Sequence, residues 1–571
     1  MGAVVDYVRT PYLPALVLVL LVVSWRRICA SRMGATAALG LILLVGLLHQ
    51  VLFGTLAEDA FITFRYAMNL AAGRGPVFNA GEPVEGYSNF LWMVALAGSH
   101  RLLGAEIPLT ASVLGTLAGL LAVLFTYRLT LEVSDQSRDA SLIAALLVAA
   151  SGSFAAYAPS GMETPLFAAV ILLVLLCTLR RSWVAAGALT GLSTMLRPEG
   201  ALLALPLVGW MMRARTPRRW RNLIAFAASC GALVAPWTLW RWLYYQNLLP
   251  NVLLAKEGMD FGHQVGLGFE YLSDFCLANA PMLLLFGVAI AAGAVGRSHA
   301  KAVAPRSRRA ARARKPATTM SENTRAAGTD PQAASLLAGV LLVFVLFVAL
   351  VGGDWMPAWR FLAPVVPVAA VLLLGLWHRN VKCARLQTDS IPGMAVFAVA
   401  AICLFAQSVW HPNLLPRMRL WQEQLDGLSE IGRWLKRSLP PNTLIAVLSN
   451  GALSFYAELP TIDMMGLTDE HIARAGQRFR QGMPGHVAHD WDYVAARKPA
   501  VVAFLNGQGF EREPDHQRIK HEFQPDYDMV TFWFPKGTNA LGHYVNLLLL
   551  RSDEARLAKM LTDAGDVRVV P

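Results

Sequence analysis

The sequence predicts an α-helical polytopic membrane protein, with about twelve transmembrane helices, that ends in a mixed α/β domain. Three observations predict it. Hydrophobic residues make up 55% of the 571 positions against 15% charged, and the mean hydropathy is positive, which is the balance of a chain whose main solvent is the bilayer. Apolar runs of spanning character recur from residue 13 to residue 410, separated by short basic or acidic loops. After residue 411 the pattern changes to short β-type runs alternating with amphipathic helical ones.

The first run, 13–25, is followed by Arg26, Arg27 and Arg32 rather than by a small-residue cleavage site, so it reads as a retained helix. The second, 35–54, ends at Ala57-Glu58-Asp59. Further runs lie near 105–127, 140–157, 165–179, 183–196, 200–212, 222–240, 279–295, 335–352, 360–377 and 392–410. In the C-terminal part the expected strands are 444–449, 461–464, 500–505 and 529–534, with helices at 418–437 and 553–563. The expected organisation is therefore a transmembrane domain over 1–410 and an α/β domain over 411–571, with a membrane-surface loop at 55–104 and a basic loop at 296–334.

Loop charge predicts orientation. The net charge of +12 sits in short loops between apolar runs, as the positive-inside rule expects, and this placement argues against nucleic acid as a partner. Arg26, Arg27, Arg32, Arg180, Arg181, the stretch 213–221, the basic loop and 379–385 are all cytoplasmic in a threading where 88–104 does not span. That segment then lies along the membrane as an interfacial helix, with His100 and Arg101 on its polar side. The acidic loop from Glu58, the Gly161–Glu163 turn, Arg197, 245–275, Asp354 and everything after about residue 411 share the extracytoplasmic side. The six cysteines show no CxxC or His-paired spacing and none falls in the C-terminal domain, so its stability does not rest on disulfides.

One face of the membrane collects the chemistry-bearing groups. Glu58 and Asp59 follow the second helix and precede an amphipathic segment with Phe61, Phe64, Ala67, Met68 and Ala71 at helical spacing. Acids there read either as helix-start charge or as a general base at the edge of a lipid-facing cavity. Arg197 falls at a break between two short apolar runs, where a cation is costly unless solvated or paired with an anion. Lys256 and Arg360 join it on the same face. Each alone is an ordinary interfacial anchor; together they are a candidate phosphate site.

The stretch EDAFITFRYAMNLAAGRGPVFNAGEPVEGYSNFLW over 58–92 resembles the first extracytoplasmic loop of the C-type glycosyltransferase superfamily, most closely the mycobacterial terminal arabinofuranosyltransferases of the AftB type. The resemblance continues in order through SGMETPLF, LRPEG, YYQNLLPNVLLAK, GGDWMPAWRFL and GLTDEHIAR. It implies the C-type fold and transfer of a sugar, arabinofuranose by closest likeness, from a polyprenyl-phosphate donor to a cell-envelope glycan, lipid-linked or protein acceptor. It also implies a catalytic carboxylate, Asp59 before Glu58, and donor-phosphate contacts from Arg197, Lys256 and Arg360. Many relatives carry Asp-Asp where this chain has Glu58-Asp59, which leaves open which acid is the base. Arg65, Tyr87, Asn89, Glu163, Asp354 and His471 are substrate-binding candidates, with Trp92 beside them in the aromatic EGYSNFLW turn. No metal-ligand spacing is visible, and a divalent cation shared by Glu58 and Asp59 is left open. A hexosyltransferase of the same superfamily is the alternative. A lipid-sugar flippase predicts an internal repeat and charges in mid-span, and neither is seen.

Overall fold

The computed structural model describes residues 10–29, 32–213, 218–303, 331–381, 386–504, 523, 526–534, 543–563 and 567–570. The expected basic loop lies mostly outside them, at 304–330.

Helices stand at every apolar run. They are α1 (Tyr12–Cys29), α2 (Arg32–Phe53), α3 (Ala60–Ala71), α4 (Phe90–Leu103), α5 (Ile107–Val133), α6 (Arg138–Ala149), α7 (Thr164–Leu179), α8 (Trp183–Leu196), α9 (Ala204–Arg213), α10 (Arg219–Tyr245), α11 (Asn251–Ala255), α12 (Phe261–Ala278), α13 (Ala280–Val303), α14 (Pro331–Val351), α15 (Val366–Asn380), α16 (Ile391–Trp410) and α17 (Leu415–Ser438). Among the described residues, six stretches are long and apolar enough to cross a membrane, or seven if α12 and α13, bent by 85° at Asn279, form one broken span. Several of the expected dozen runs fold into helices too short to cross unaided, such as α7, α8 and α9. Large apolar side chains face outward along α10 and α14, among them Trp220, Ile224, Leu243, Leu342 and Leu346, as hydrocarbon rather than water would allow.

Close helix approach follows from small residues. Gly187 and Gly191, one turn apart on α8, let α10 pack against it: a Cβ at Gly187 would stand 2.1 Å from the carbonyl oxygen of Phe226. Arg197 stands at the C-terminal end of α8. The segment 88–104 contains α4, 14 residues and so about 21 Å long, shorter than the ~30 Å hydrocarbon core. Its Trp92, Met93, Leu96 and Ala97 are buried, Arg101 donates to Ala71 O at 2.8 Å, and left-handed Gly104 ends it.

One expectation is corrected. The segment after Asp59 reads as amphipathic, yet α3 is buried on nearly every side. The reason is tertiary: its polar side chains are satisfied by distant carbonyls. Arg65 donates to Phe78 O, Ser454 O and Leu459 O, and Asn69 to Val77 O and Phe78 O.

Beyond α17 the strands are β1 (Ile445–Val447), β2 (Thr461–Asp463), β3 (Gln477–Met483), β4 (His486–His489), β5 (Val501–Ala503), β6 (Tyr527–Phe534), β7 (His543–Leu550) and β8 (Arg568–Val570). A six-stranded sheet runs β2-β1-β5-β7-β6-β8, with β1 parallel to both neighbours and the β7, β6 and β8 half antiparallel. The parallel strands are buried throughout, whereas β6 alternates from Val530 to Phe534, presenting Phe532 and Phe534 to Trp434 of α17. β3 and β4 form a separate hairpin. The four strands expected from the sequence all belong to the sheet; β3, β4, β7 and β8 were not foreseen.

Candidate active site

Asp59 is the N-cap residue of α3, but its side chain makes no capping hydrogen bond. The side chain thus does not cap the helix, although its charge still stands at the helix's positive end. The Asp59 carboxylate instead points toward Arg360, with Oδ2 3.9 Å from Nη1, and its side chain is 20% exposed. Arg360 comes from the loop between α14 and α15, where Gly352, Gly353, Ala358 and Trp359 all have positive φ. Two consecutive non-glycine residues in that conformation are costly by about 1 kcal/mol or more each, and tight surroundings hold them: Trp359 is fully buried against Phe275 and His411, and Ala358 N donates to Asn413 O at 3.1 Å. The same loop carries Asp354, whose Oδ2 lies 3.0 Å from Arg360 Nε.

Next to this pair opens a cavity of about 430 Å³. Arg197, Glu199, Lys256, Asp354, Trp355 and Arg360 line it, together with Ser88, Phe361, Pro484 and Gly485. All three cations expected from the sequence thus meet in one space, but their partners differ. Arg197 is clamped by two carboxylates, Nη1 to Glu163 Oε1 at 2.6 Å and Nη2 to Glu199 Oε1 at 2.7 Å, all three side chains being at least nine-tenths buried. Arg360 faces Asp354 and, at longer range, Asp59. Lys256 has no carboxylate within 4.0 Å among the described residues. Burial, and next the Arg360 charge, push its ammonium below the usual lysine range. An anion entering the cavity therefore finds its free charge on Lys256.

Glu58 is held differently from Asp59. Its Oε1 accepts from the backbone N–H of Gly451 at 2.6 Å. Burial, with the neighbouring Asp59 charge second and Asp463 adding to it, pushes its carboxyl up to about 8. Hydrogen bonds from the backbone N–H groups of Gly451 and Ala452 oppose this shift.

The remaining candidates separate. Asp354 lines the cavity. Glu163 and Asn89 stand behind it: Asn89 Nδ2 donates to Glu163 Oε2 at 2.7 Å and its Oδ1 accepts from Thr63 at 3.1 Å, so this chain orients Arg197 and leaves little capacity for sugar hydroxyls. Trp92 donates to Gly161 O at 2.8 Å and fixes the turn before Glu163. Tyr87 is buried with its hydroxyl 3.1 Å from that of Tyr245, away from the cavity lining. Arg65 uses its guanidinium on carbonyls of the 78–79 and 454–461 segments and does not reach the cavity. His471 is 43% exposed, ion-paired with Asp490 and stacked on Tyr493. Arg65, Tyr87, Asn89 and His471 thus lie outside the cavity lining, with polar atoms engaged by protein partners.

Sequence reasoning missed Glu199, Trp355 and the tip of the β3–β4 hairpin. Glu199 stood within the LRPEG motif; the hairpin tip carried no local signal. Among the described residues no group of three or more His, Cys, Asp or Glu side chains could hold a metal ion.

The protein is 31% identical over 402 residues to a terminal β-(1→2)-arabinofuranosyltransferase of Corynebacterium glutamicum, and 34% identical over 249 residues to the one of Mycobacterium tuberculosis. The matches cover 64% and 40% of this chain. This chain is a sequence relative of the terminal arabinofuranosyltransferases. It spans about half the length of the first relative, 53%, and 38% of the second. Its fold is similar to that of ArnT from Cupriavidus metallidurans, in a crystal structure with undecaprenyl phosphate, which superposes with a TM-score of 0.58 at 14% identity, covering 91% of this chain and 99% of that one. The apo state of ArnT gives the same values. Residues 416–551 match the model of a domain of unknown function, DUF8728.

Proposed function

We propose that this protein is a membrane glycosyltransferase that moves arabinofuranose from a polyprenyl-phosphate donor to a hydroxyl of a cell-envelope glycan, on the extracytoplasmic face of the inner membrane. The observation that carries the reading is an uncapped, partly exposed carboxylate, Asp59, beside a cavity that holds one cation without a carboxylate partner, Lys256. A base and an anion site at one cavity are what transfer from a lipid phosphate requires. The arabinofuranose assignment draws on the relatives' names, and the polyprenyl phosphate on the lipid bound to ArnT.

In this mechanism Asp59 takes the proton of the acceptor hydroxyl as its oxygen attacks the anomeric carbon. The bond from that carbon to the phosphate oxygen breaks, and its electron pair leaves with the lipid phosphate. Lys256 and the outer face of Arg360 stabilise the departing anion, while Arg197, neutralised by Glu163 and Glu199, keeps the wall in shape.

The test is Asp59→Asn, which keeps shape and removes basicity. Transfer from a labelled polyprenyl-phosphate arabinofuranose in membranes, with expression matched, is expected to fall by about 100-fold or more. Undiminished transfer removes Asp59 from the base role. Envelope glycan from a deletion strain is expected to lack a pentose; loss of a hexose with pentoses intact overturns the sugar assignment.

A further inference from the structure

The C-terminal unit, whose residues 416–551 match a domain of unknown function, reaches the candidate active site at several points. Gly451 N donates to Glu58 Oε1 at 2.6 Å, one residue from Asp59. The approach is so close that a Cβ on Gly451 would stand 2.2 Å from the backbone oxygen of Glu58 and 2.5 Å from its carboxyl carbon. Phe455 and Tyr456 pack on Phe61, with ring centroids 5.5 and 5.6 Å away, and Arg65 of the same helix donates to Ser454 O and Leu459 O, both at 2.7 Å. The helix that begins at Asp59 is therefore held from its outer side by this unit.

The opposite wall is held too. Pro484 and Gly485, between β3 and β4, line the cavity, and a Cβ on Gly485 would lie 3.4 Å from Lys256 Cε. His486 packs edge-on against Trp355 with centroids 5.1 Å apart, and Trp421 of α17 lies 5.0 Å from the same indole. Asp260 N, a few residues past Lys256, donates to Arg480 O at 2.9 Å. An appended acceptor-binding module would need none of these contacts with both the base-bearing helix and the cation-bearing loop.

We propose that the C-terminal unit is a working part of the active site: Gly451 holds the Glu58 side chain so that Asp59 stays turned toward Arg360 at the edge of the cavity, which makes Glu58 a positioning residue. The proposal rests on Asp59 being the base. Its physical content is a short hydrogen bond that fixes the 58–59 dipeptide at a position where a Cβ in place of the Gly451 hydrogen would clash. A carboxamide at position 58 keeps the acceptor oxygen, a methyl does not, and a Cβ at 451 pushes the two segments apart.

The experiment compares Glu58→Gln, Glu58→Ala, Gly451→Ala and Asp59→Asn in the full-length protein, with kcat and donor KM measured separately and detergent-extracted protein checked for monodispersity. Glu58→Ala and Gly451→Ala are expected to lower kcat by about 100-fold, the cost of a misplacement near 1 Å, with donor KM within about threefold. Glu58→Gln is expected to restore kcat to within about threefold of the parent. A Gln variant as inactive as Asp59→Asn overturns the proposal, because the Glu58 carboxylate itself is then needed. Parental kcat in either Glu58→Ala or Gly451→Ala overturns it as well. Should Gly451→Ala not be recovered folded, the two Glu58 variants alone decide. Full activity in Asp59→Asn would instead strike the base assignment and is read independently of these outcomes.

Discussion

Replacing Lys256 by Met is the sharpest probe of how charge is divided in the cavity. The two arginines are already engaged with carboxylates, Arg197 at 2.6 and 2.7 Å and Arg360 at 3.0 Å, while Lys256 has none within 4.0 Å. A unit charge pair 4 Å apart at an effective dielectric of 20 is worth about 4 kcal/mol, and desolvation reduces the net value of a charged hydrogen bond to about 1.5–3 kcal/mol. At about 1.4 kcal/mol per decade, that is a rise in donor KM of about 10- to 150-fold. Stability should move the other way: Met matches the length of the stem, and removing a buried ammonium without an ionic partner relieves a desolvation cost. Donor titration in a transfer assay, beside thermal melting of the detergent-extracted protein, reads both quantities. An unchanged donor KM, or a melting point lowered as far as that of an arginine variant, would refute the assignment of the free charge to Lys256.

Two further outcomes follow from the same inventory. Arg197→Ala leaves Glu163 and Glu199 as buried, unpartnered carboxylates and is expected to cost about 3–5 kcal/mol, seen as lost yield and a lowered melting point, with Arg197→Lys intermediate; parental stability in the Ala variant would contradict the clamp. Burial pushes the Glu58 carboxyl up to about 8 in the folded chain from its ordinary 4.5, so the native state binds a proton that the unfolded chain releases within that window. Stability from this group is complete below the lower value and is lost as pH rises through the upper one, by at most about 1.4 kcal/mol per pH unit because a single proton is involved. Subtracting the melting profile of Glu58→Gln from that of the parent should isolate this slope between pH 4.5 and 8; a flat difference would show that burial does not raise this acid.

Much of the architecture was legible in the chain because its causes are local. An apolar run forms a helix wherever water is scarce, so most helix positions from Tyr12 to Trp410 follow from residue order, as do β1, β2, β5 and β6 from their short β-branched and aromatic runs; α11 and α12, within the stretch 245–275 read as a loop, do not. The chemistry-bearing residues Asp59, Arg197, Lys256, Asp354 and Arg360 could also be picked out, since a charge beside an apolar run is conspicuous without any knowledge of its neighbours. Which helices are long enough to cross was less legible, because breaks such as Arg197 and Asn279 interrupt runs whose hydropathy continues through them.

Only the tertiary structure decided how the charges pair. Nothing in the order of residues says that Arg197 is neutralised by Glu163 and Glu199 while Lys256 is left free, or that α3 is buried on both faces. Those outcomes depend on contacts between segments far apart, such as Glu58 with Gly451, 393 positions away. A carboxylate becomes a base, a clamp or a positioning group according to what the rest of the fold brings within about 3 Å of it, and that distance is set by packing rather than by sequence.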